Sequence, residues 1–157
     1  FSSIPSALVR HWDRLRGNLV WGLLTDNVKM SDGKGIFDAT HGNLLTGASS
    51  ALSEESLAAA KTAMMKQKDI AGQIIRMVPR YLIVSPENEM MAKKLVTATT
   101  PVKFEDVNVF AGAFDVIVEP RLTDPKAWYL MADPYAVDSL YYAYLEGNEC
   151  LRVDSTE

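Results

Sequence analysis

Ser31-Asp32-Gly33-Lys34-Gly35-Ile36-Phe37-Asp38-Ala39-Thr40-His41-Gly42-Asn43-Leu44-Leu45 gathers two aspartates, a histidine and three glycines into fifteen residues. No other segment concentrates so many groups able to carry chemistry, so its spacing is tested against each chemistry in turn. A calcium loop of the EF-hand kind needs oxygen ligands at alternate positions, a central glycine and a glutamate at its twelfth position. Asp32, Asp38 and His41 do not fall in that register. A serine hydrolase presents its nucleophile on a sharp turn beside oxyanion donors, and Ser31, Ser49 and Ser50 lack the Gly-x-Ser-x-Gly setting. Gly33-Lys34-Gly35 lacks both the preceding strand and the following Gly-Lys-Ser/Thr that a phosphate cradle requires. What remains is an ordered loop. Its glycines supply unusual backbone angles, while Asp38, Thr40, His41 and Asn43 hydrogen-bond the backbone around them. The sequence therefore assigns no catalytic, cofactor-binding or metal-ligating residue.

On the N-terminal side of this loop, Leu8, Trp12, Leu15, Leu19 and Trp21 to Leu24 recur at helical spacing, with Arg10, Asp13, Arg14 and Arg16 between them. The pattern predicts an amphipathic helix from Ser6 to Leu24. Leaving its larger apolar side chains in water costs on the order of 1.5 to 3 kcal/mol each, so the stripe must be covered by this domain or by a neighbouring subunit. His11 sits at the stripe's edge and has no metal-ligand partner four residues on, where Leu15 stands.

On the C-terminal side, Ser53 can cap a second helix. Glu54 and Glu55 fall in its first turn, and Leu52 can staple to Leu57. Alanines carry the helix onward to Lys68, with Met64 and Met65 expected as core filler. Asp69 to Gly72 reads as a turn. Ile74 to Val78 and Tyr81 to Val84 read as extended segments separated by Pro79. Ser85-Pro86-Glu87 opens a third helix, with serine at the cap and proline at its first position. After a loop punctuated by Pro101 and Gly112, strands are predicted at Phe114 to Glu119, Trp128 to Met131 and Leu140 to Leu145. Helices come first and strands later, which indicates an α+β fold rather than a doubly wound α/β one.

Composition narrows the function classes. At 157 residues and 48% hydrophobic, the chain supports one domain-sized core. A net charge of -4 with dispersed Lys and Arg disfavours nucleic-acid binding. Cys150 is the single cysteine, which excludes a disulfide framework or a multi-cysteine zinc site within one chain. No window reaches the roughly 18 apolar residues of a membrane span. A ligand-binding domain built on Trp and Tyr is not called for, because 9% aromatic residues is what an ordinary core absorbs.

Several collinear segments are together more specific than any single motif. They are Val20 to Asn27 (Val-Trp-Gly-Leu-Leu-Thr-Asp-Asn), Met30 to Gly33, Phe37 to Leu44 (Phe-Asp-Ala-Thr-His-Gly-Asn-Leu), Met65 to Asp69, Pro79 to Pro86 (Pro-Arg-Tyr-Leu-Ile-Val-Ser-Pro), Asp106 to Gly112 and Val118 to Leu122. In this order they closely resemble the Mu-like phage and prophage major head subunit family, over roughly Val20 to Gly147.

The resemblance implies the Hong Kong 97 capsid fold, in which a long spine helix and a peripheral sheet join a compact axial domain. On that basis Ser53 to Lys68 is the spine helix, Tyr81 to Val84 and the Pro86 helix enter the axial part, and Phe114 to Glu119 leads back out. The expected architecture is a single capsid-type domain over 1–157, with the spine helix packed on an antiparallel-rich sheet beside an axial subdomain. Residues 1–50 supply the N-terminal helix and ordered loop, and 51–157 supply the spine helix, axial subdomain and peripheral strands. Relative to the family pattern the chain is expected to be truncated at both ends, and Asn148 to Glu157 fits that pattern less well.

The resemblance also implies a function. The chain is a structural, non-enzymatic head subunit that self-associates through hexamers and pentamers into an icosahedral shell around DNA, located in the virion and made in the bacterial host cytoplasm. It takes no cofactor and binds no specific nucleic-acid sequence, and scaffold or decoration proteins are candidate further partners. Phage head genes can be fused to proteases, so the alternative is a head-associated hydrolase or maturation protease using Asp38 and His41. The first helix's apolar stripe and the Ser31 to Leu45 loop are the expected subunit-facing surfaces, and His41 is expected to serve folding or assembly rather than turnover.

Overall fold

A computed structural model describes residues 3–47, 50–69, 71–97, 110–137, 140, 143–144 and 146. The first helix, α1, spans Ser3–Thr25. Its last carbonyls are satisfied locally: Thr25 Oγ1 donates toward the Trp21 and Gly22 carbonyls at 3.3 Å each, and Asp26 N donates to Gly22 O at 2.9 Å. Asn27 then takes the left-handed conformation, φ 47°, and turns the chain out of the helix.

The second helix, α2, spans Glu54–Met65. Ser53 caps it as expected, but the reciprocal partner is Ser56 rather than an acid. Ser56 N donates to Ser53 Oγ at 3.1 Å, and Ser53 N donates to Ser56 Oγ at 2.9 Å. Such a cap contributes about 1 kcal/mol. Because Ser56 is buried and Leu57 is fully buried, the cap also aims the first turn into the core. The helix ends three residues before Lys68, because Gln67 turns toward the Ser31 to Leu45 loop and Lys68 bridges Ile74 across the Asp69 to Gly72 turn. Met65 is exposed and therefore is not the core filler expected of it.

Strand β1 runs Pro79–Val84 and lies centrally in a three-stranded sheet of order β2-β1-β3, with β2 at Asp115–Val118 and β3 at Trp128–Ala132. Its Leu82, Ile83 and Val84 are all buried, as a strand covered on both faces requires. Pro79 does not separate two strands. It is the first residue of β1, a position where the missing N–H is tolerated.

The sheet is mixed rather than antiparallel-rich: β1 pairs with β2 in parallel and with β3 in antiparallel fashion. The physical reason is the crossover. A short 3-10 turn, Pro86–Asn88, and helix α3, Glu89–Val96, leave the end of β1, and α3 packs on both β1 and β2, so the chain re-enters alongside β1 in the same direction. Ser85 precedes the turn without capping it through its side chain. Ile74 to Val78 is not a strand. Ile74 holds only its isolated bridge to Lys68, and Ile74 and Val78 are exposed. Of the strand expected at Leu140 to Leu145, the described Leu140, Ala143 and Tyr144 carry no strand structure; the rest of it, Pro101 and Asn148 to Glu157 lie outside the described residues.

The core joins these elements. Leu52 and Leu57 at the start of α2, Leu82 and Val84 of β1, Ala92 of α3, and Phe110 and Phe114 ahead of β2 form one buried cluster. The chain thus combines helices with a small mixed sheet, an α+β arrangement in which the second helix packs against the sheet through its first turn.

Candidate functional site

The Ser31 to Leu45 loop is built by its own side chains. Lys29 and Gly35 form a bridge, Met30 N donates to Lys34 O at 2.7 Å, and Gly33 supplies the left-handed corner at φ 79°. Asn27 clasps both backbone groups of Phe37, at 2.7 and 3.0 Å, and lies so close to Gly35 that a Cβ there would meet its amide at 2.5 Å. Asp38 then caps a 3-10 turn, Ala39–His41, by accepting from Thr40 N at 2.8 Å and Thr40 Oγ1 at 2.6 Å; Gly42 ends the turn at φ 65°. Asn43 ties the turn back, donating to Ile36 O at 2.8 Å and accepting from Asp38 N at 3.0 Å. Thr40 bonds side chains, those of Asp38 and Lys34, rather than only backbone.

His41 faces two acceptors. Its Nε2 lies 2.8 Å from Asp32 Oδ2 and its Nδ1 lies 3.3 Å from Ile36 O. The doubly protonated imidazolium donates to both, so the Asp32 carboxylate first and the Ile36 carbonyl second raise the His41 pKa above its ordinary value. Asp32 is lowered by the Lys34 backbone N–H and then by His41, and Asp38 by the Thr40 hydroxyl and then its N–H. The structure therefore pairs His41 with Asp32, nine residues away, and engages Asp38 with Thr40. The Asp38 carboxylate is not hydrogen-bonded to the His41 ring, the pair a hydrolase would use; the two residues meet only through the backbone, His41 N donating to Asp38 O at 3.0 Å. No described hydroxyl or thiol is hydrogen-bonded to the His41 ring, and no three metal-ligating side chains gather among the described residues.

Two further anchors join the loop to the fold. Gln67 Nε2 donates to His41 O at 3.0 Å, and the Phe37 ring packs on Tyr129 of β3 at 5.2 Å between centroids. Beyond them the loop, α2 and β3 enclose an open groove of about 750 Å³, lined by Leu44 and Leu45, by Ala63 and Met64, and by Trp128 and Leu130. The alanine-rich face of α2 turns toward this groove.

The α1 stripe is uncovered among the described residues. Leu8, Leu15 and Leu19 are exposed and Trp12 is only half-buried. The helix is held instead through its polar side: Arg121 Nε donates to Asn18 Oδ1 at 2.9 Å while Arg121 Nη1 bonds the buried Glu119 at 2.9 Å, and Arg16 donates to Tyr144 Oη at 2.7 Å. No helix among the described residues is long and apolar enough to cross a membrane.

The family model of the phage capsid protein matches residues 1–157, the whole of this sequence. The chain belongs to the phage capsid protein family. No curated protein and no solved structure matches it. As a phage capsid protein it has a structural role in the virion, through association with other subunits, and the hydrolase alternative is not favoured.

In a capsid protein, His41 and its neighbours act as the frame of a loop. Sequence reasoning did not find that Asn27, Gln67 and Arg121 help to fasten the loop and α1. Only Asn27 carried a local signal, since asparagine tolerates the left-handed conformation that ends a helix.

Proposed function

We propose that this phage capsid protein is a major head subunit of the Mu-like kind with the Hong Kong 97 fold, assembling as hexamers and pentamers into an icosahedral shell around DNA. The single observation that carries the reading is the match of the capsid family to the entire chain. The collinear segments from Val20 to Leu122 support the Mu-like assignment, and this reading takes α2, seated on the sheet through Leu57, as the spine helix. A net charge of -4 suits a shell that encloses DNA without gripping it. The subunit is made in the host cytoplasm, and scaffold or decoration proteins are its candidate further partners. Each subunit contact is individually modest, so that closure is driven by many contacts together and early errors can still dissociate.

Sedimentation velocity on the complete gene product tests this reading. Species of capsomer size and larger, at the expense of monomer as concentration rises, are the expected result. A monomer that persists at every concentration and salt condition contradicts it.

A further inference from the structure

Asp32-Gly33 is the one place in the sequence where an aspartate or asparagine is followed by glycine. Such a pair can react with itself. The main-chain nitrogen of the second residue attacks the side-chain Cγ of the first, and glycine hinders that attack least, having no side chain beside the nitrogen and the widest range of backbone angles. Both residues are exposed at the tip of the Ser31 to Leu45 loop, and a Cβ built on Gly33 meets nothing within 4 Å, so water reaches the bond freely.

The folded loop opposes this reaction at each atom it needs. The nucleophile is engaged, since Gly33 N donates to Met30 O at 3.0 Å. The carboxylate is held at both oxygens, Oδ1 accepting from Lys34 N at 3.0 Å and Oδ2 lying 2.8 Å from His41 Nε2. The Lys34 N–H first and His41 second keep the group ionised, and an ionised carboxylate has no hydroxyl to lose as water. The Met30 and Lys34 backbone bonds belong to the tip itself. His41 instead reaches the tip from the 3-10 turn that Asp38 caps and Gln67 anchors, beside Lys34 Nζ, which donates to Thr40 Oγ1 at 2.7 Å. It therefore ties a reactive tip to the body of the fold.

We propose that Asp32-Gly33 is a site of isoaspartate formation and that the His41 contact guards it, so that the modification advances in proportion to the time the tip spends away from His41. The inference does not depend on the capsid reading. Water is the only other reactant. In the opened tip the carboxyl takes a proton from solvent, Gly33 N bonds to Asp32 Cγ, and the amide proton leaves with the carboxyl hydroxyl as water, closing a succinimide. A water molecule then adds to one ring carbonyl and breaks its C–N bond. Opening at the side-chain carbonyl restores aspartate. Opening at the main-chain carbonyl leaves Gly33 joined through the side chain, with one more methylene in the main chain and the free carboxylate on Cα. That lengthened chain no longer presents the carboxylate to His41 and Lys34 N, so the product holds the tip open.

The test incubates the complete gene product in native buffer and in guanidinium chloride. It then measures the aspartate and isoaspartate forms of the tryptic peptide Met30 to Lys34 by chromatography and electron-transfer fragmentation. Isoaspartate is expected to accumulate in the denatured chain and more slowly in the native one. His41→Ala, with the circular dichroism spectrum of the parent, should raise the native rate by about twofold to fivefold, the population shift that loss of one exposed charge pair allows, and leave the denatured rate unchanged. No isoaspartate at Asp32 in the denatured chain, equal native and denatured rates for the parent, or a native rate that His41→Ala does not change overturns the proposal. Should the variant lose its fold, the parent decides. Raising pH removes the His41 proton, while Asp32, Asp38 and Lys34, the charged groups around the ring, keep their charges and α2 presents the uncharged Gln67 amide. The ratio of native to denatured rate must then rise with pH, and a flat or falling ratio overturns the guard.

Discussion

Replacing Leu57 by alanine removes the side chain through which α2 holds the sheet. Leu57 is 0% exposed and shares its cluster with Leu52, Leu82, Val84, Phe110 and Phe114, so its loss leaves a cavity bounded by two helices, the central strand and the segment before β2. Leucine-to-alanine changes in such surroundings cost about 2 to 5 kcal/mol. Ser56 beside it is pinned by the capping box, which limits how far α2 can settle into the void and places the expectation near 3 kcal/mol. At about 2 to 4 °C per kcal/mol for a domain of this size, the melting temperature should fall by roughly 6 to 12 °C. Urea unfolding followed by tryptophan fluorescence gives the free energy, because Trp128 packs against the same cluster. Leu19→Ala makes the same chemical change at a side chain 66% exposed on α1 and should move stability by less than about 0.5 kcal/mol, while reducing assembly. A loss below about 1 kcal/mol for Leu57→Ala, or equal losses for the two variants, would refute the placement of α2 on the sheet.

Ser85 is fully buried and its hydroxyl has no hydrogen-bond partner among the described residues, so Ser85→Ala should leave stability unchanged or raise it by up to about 1 kcal/mol in urea unfolding; a marked loss would reveal a partner for that oxygen. His41 should titrate above 6.5 by NMR, and Asp32→Asn should lower its midpoint. Since the folded value is raised, the His41 contribution to loop stability is complete below pH 6.5 and is lost as pH rises through the raised value. The Asp32 and Asp38 contributions, with folded values lowered, are present above 3.8 and are lost as pH falls through those lowered values. A His41 midpoint at or below 6.5 would contradict the ion pair. Gly35→Ala should drive the Asn27 amide from Phe37 and raise hydrogen exchange across residues 27–43, with helix α2 unaffected; unchanged exchange would show that the clasp is not what holds the loop. Arg121→Ala should loosen α1 alone, seen as faster exchange from Gly17 to Leu24, and faster exchange throughout the sheet would instead mark Arg121 as a core residue.

What was legible in the sequence follows the range of the interactions concerned. Helix starts were readable because Ser53 and its first turn are neighbours in sequence, and the apolar spacing of α1 reports one face of one helix. The parallel pairing of β1 with β2 was not, because it depends on how α3 carries the chain across, over a connection between Val84 and Asp115 that no local pattern encodes. The loop shows the same division. Its residue types announced a segment rich in side-chain to backbone bonds, and Asp38, His41 and Asn43 make them. That His41 would choose Asp32 over the nearer Asp38 depends on the bend at Gly33, and the anchor from Gln67 comes from 26 residues away. The apolar edge of α1 was legible as a demand for burial, and the described residues leave Leu8, Leu15 and Leu19 exposed.

Electron microscopy of the complete gene product tests the central claim most directly. A major capsid subunit predicts closed shells or capsomer rings whose subunits are this chain. Only monomers, or particles that do not contain this chain, would contradict the account.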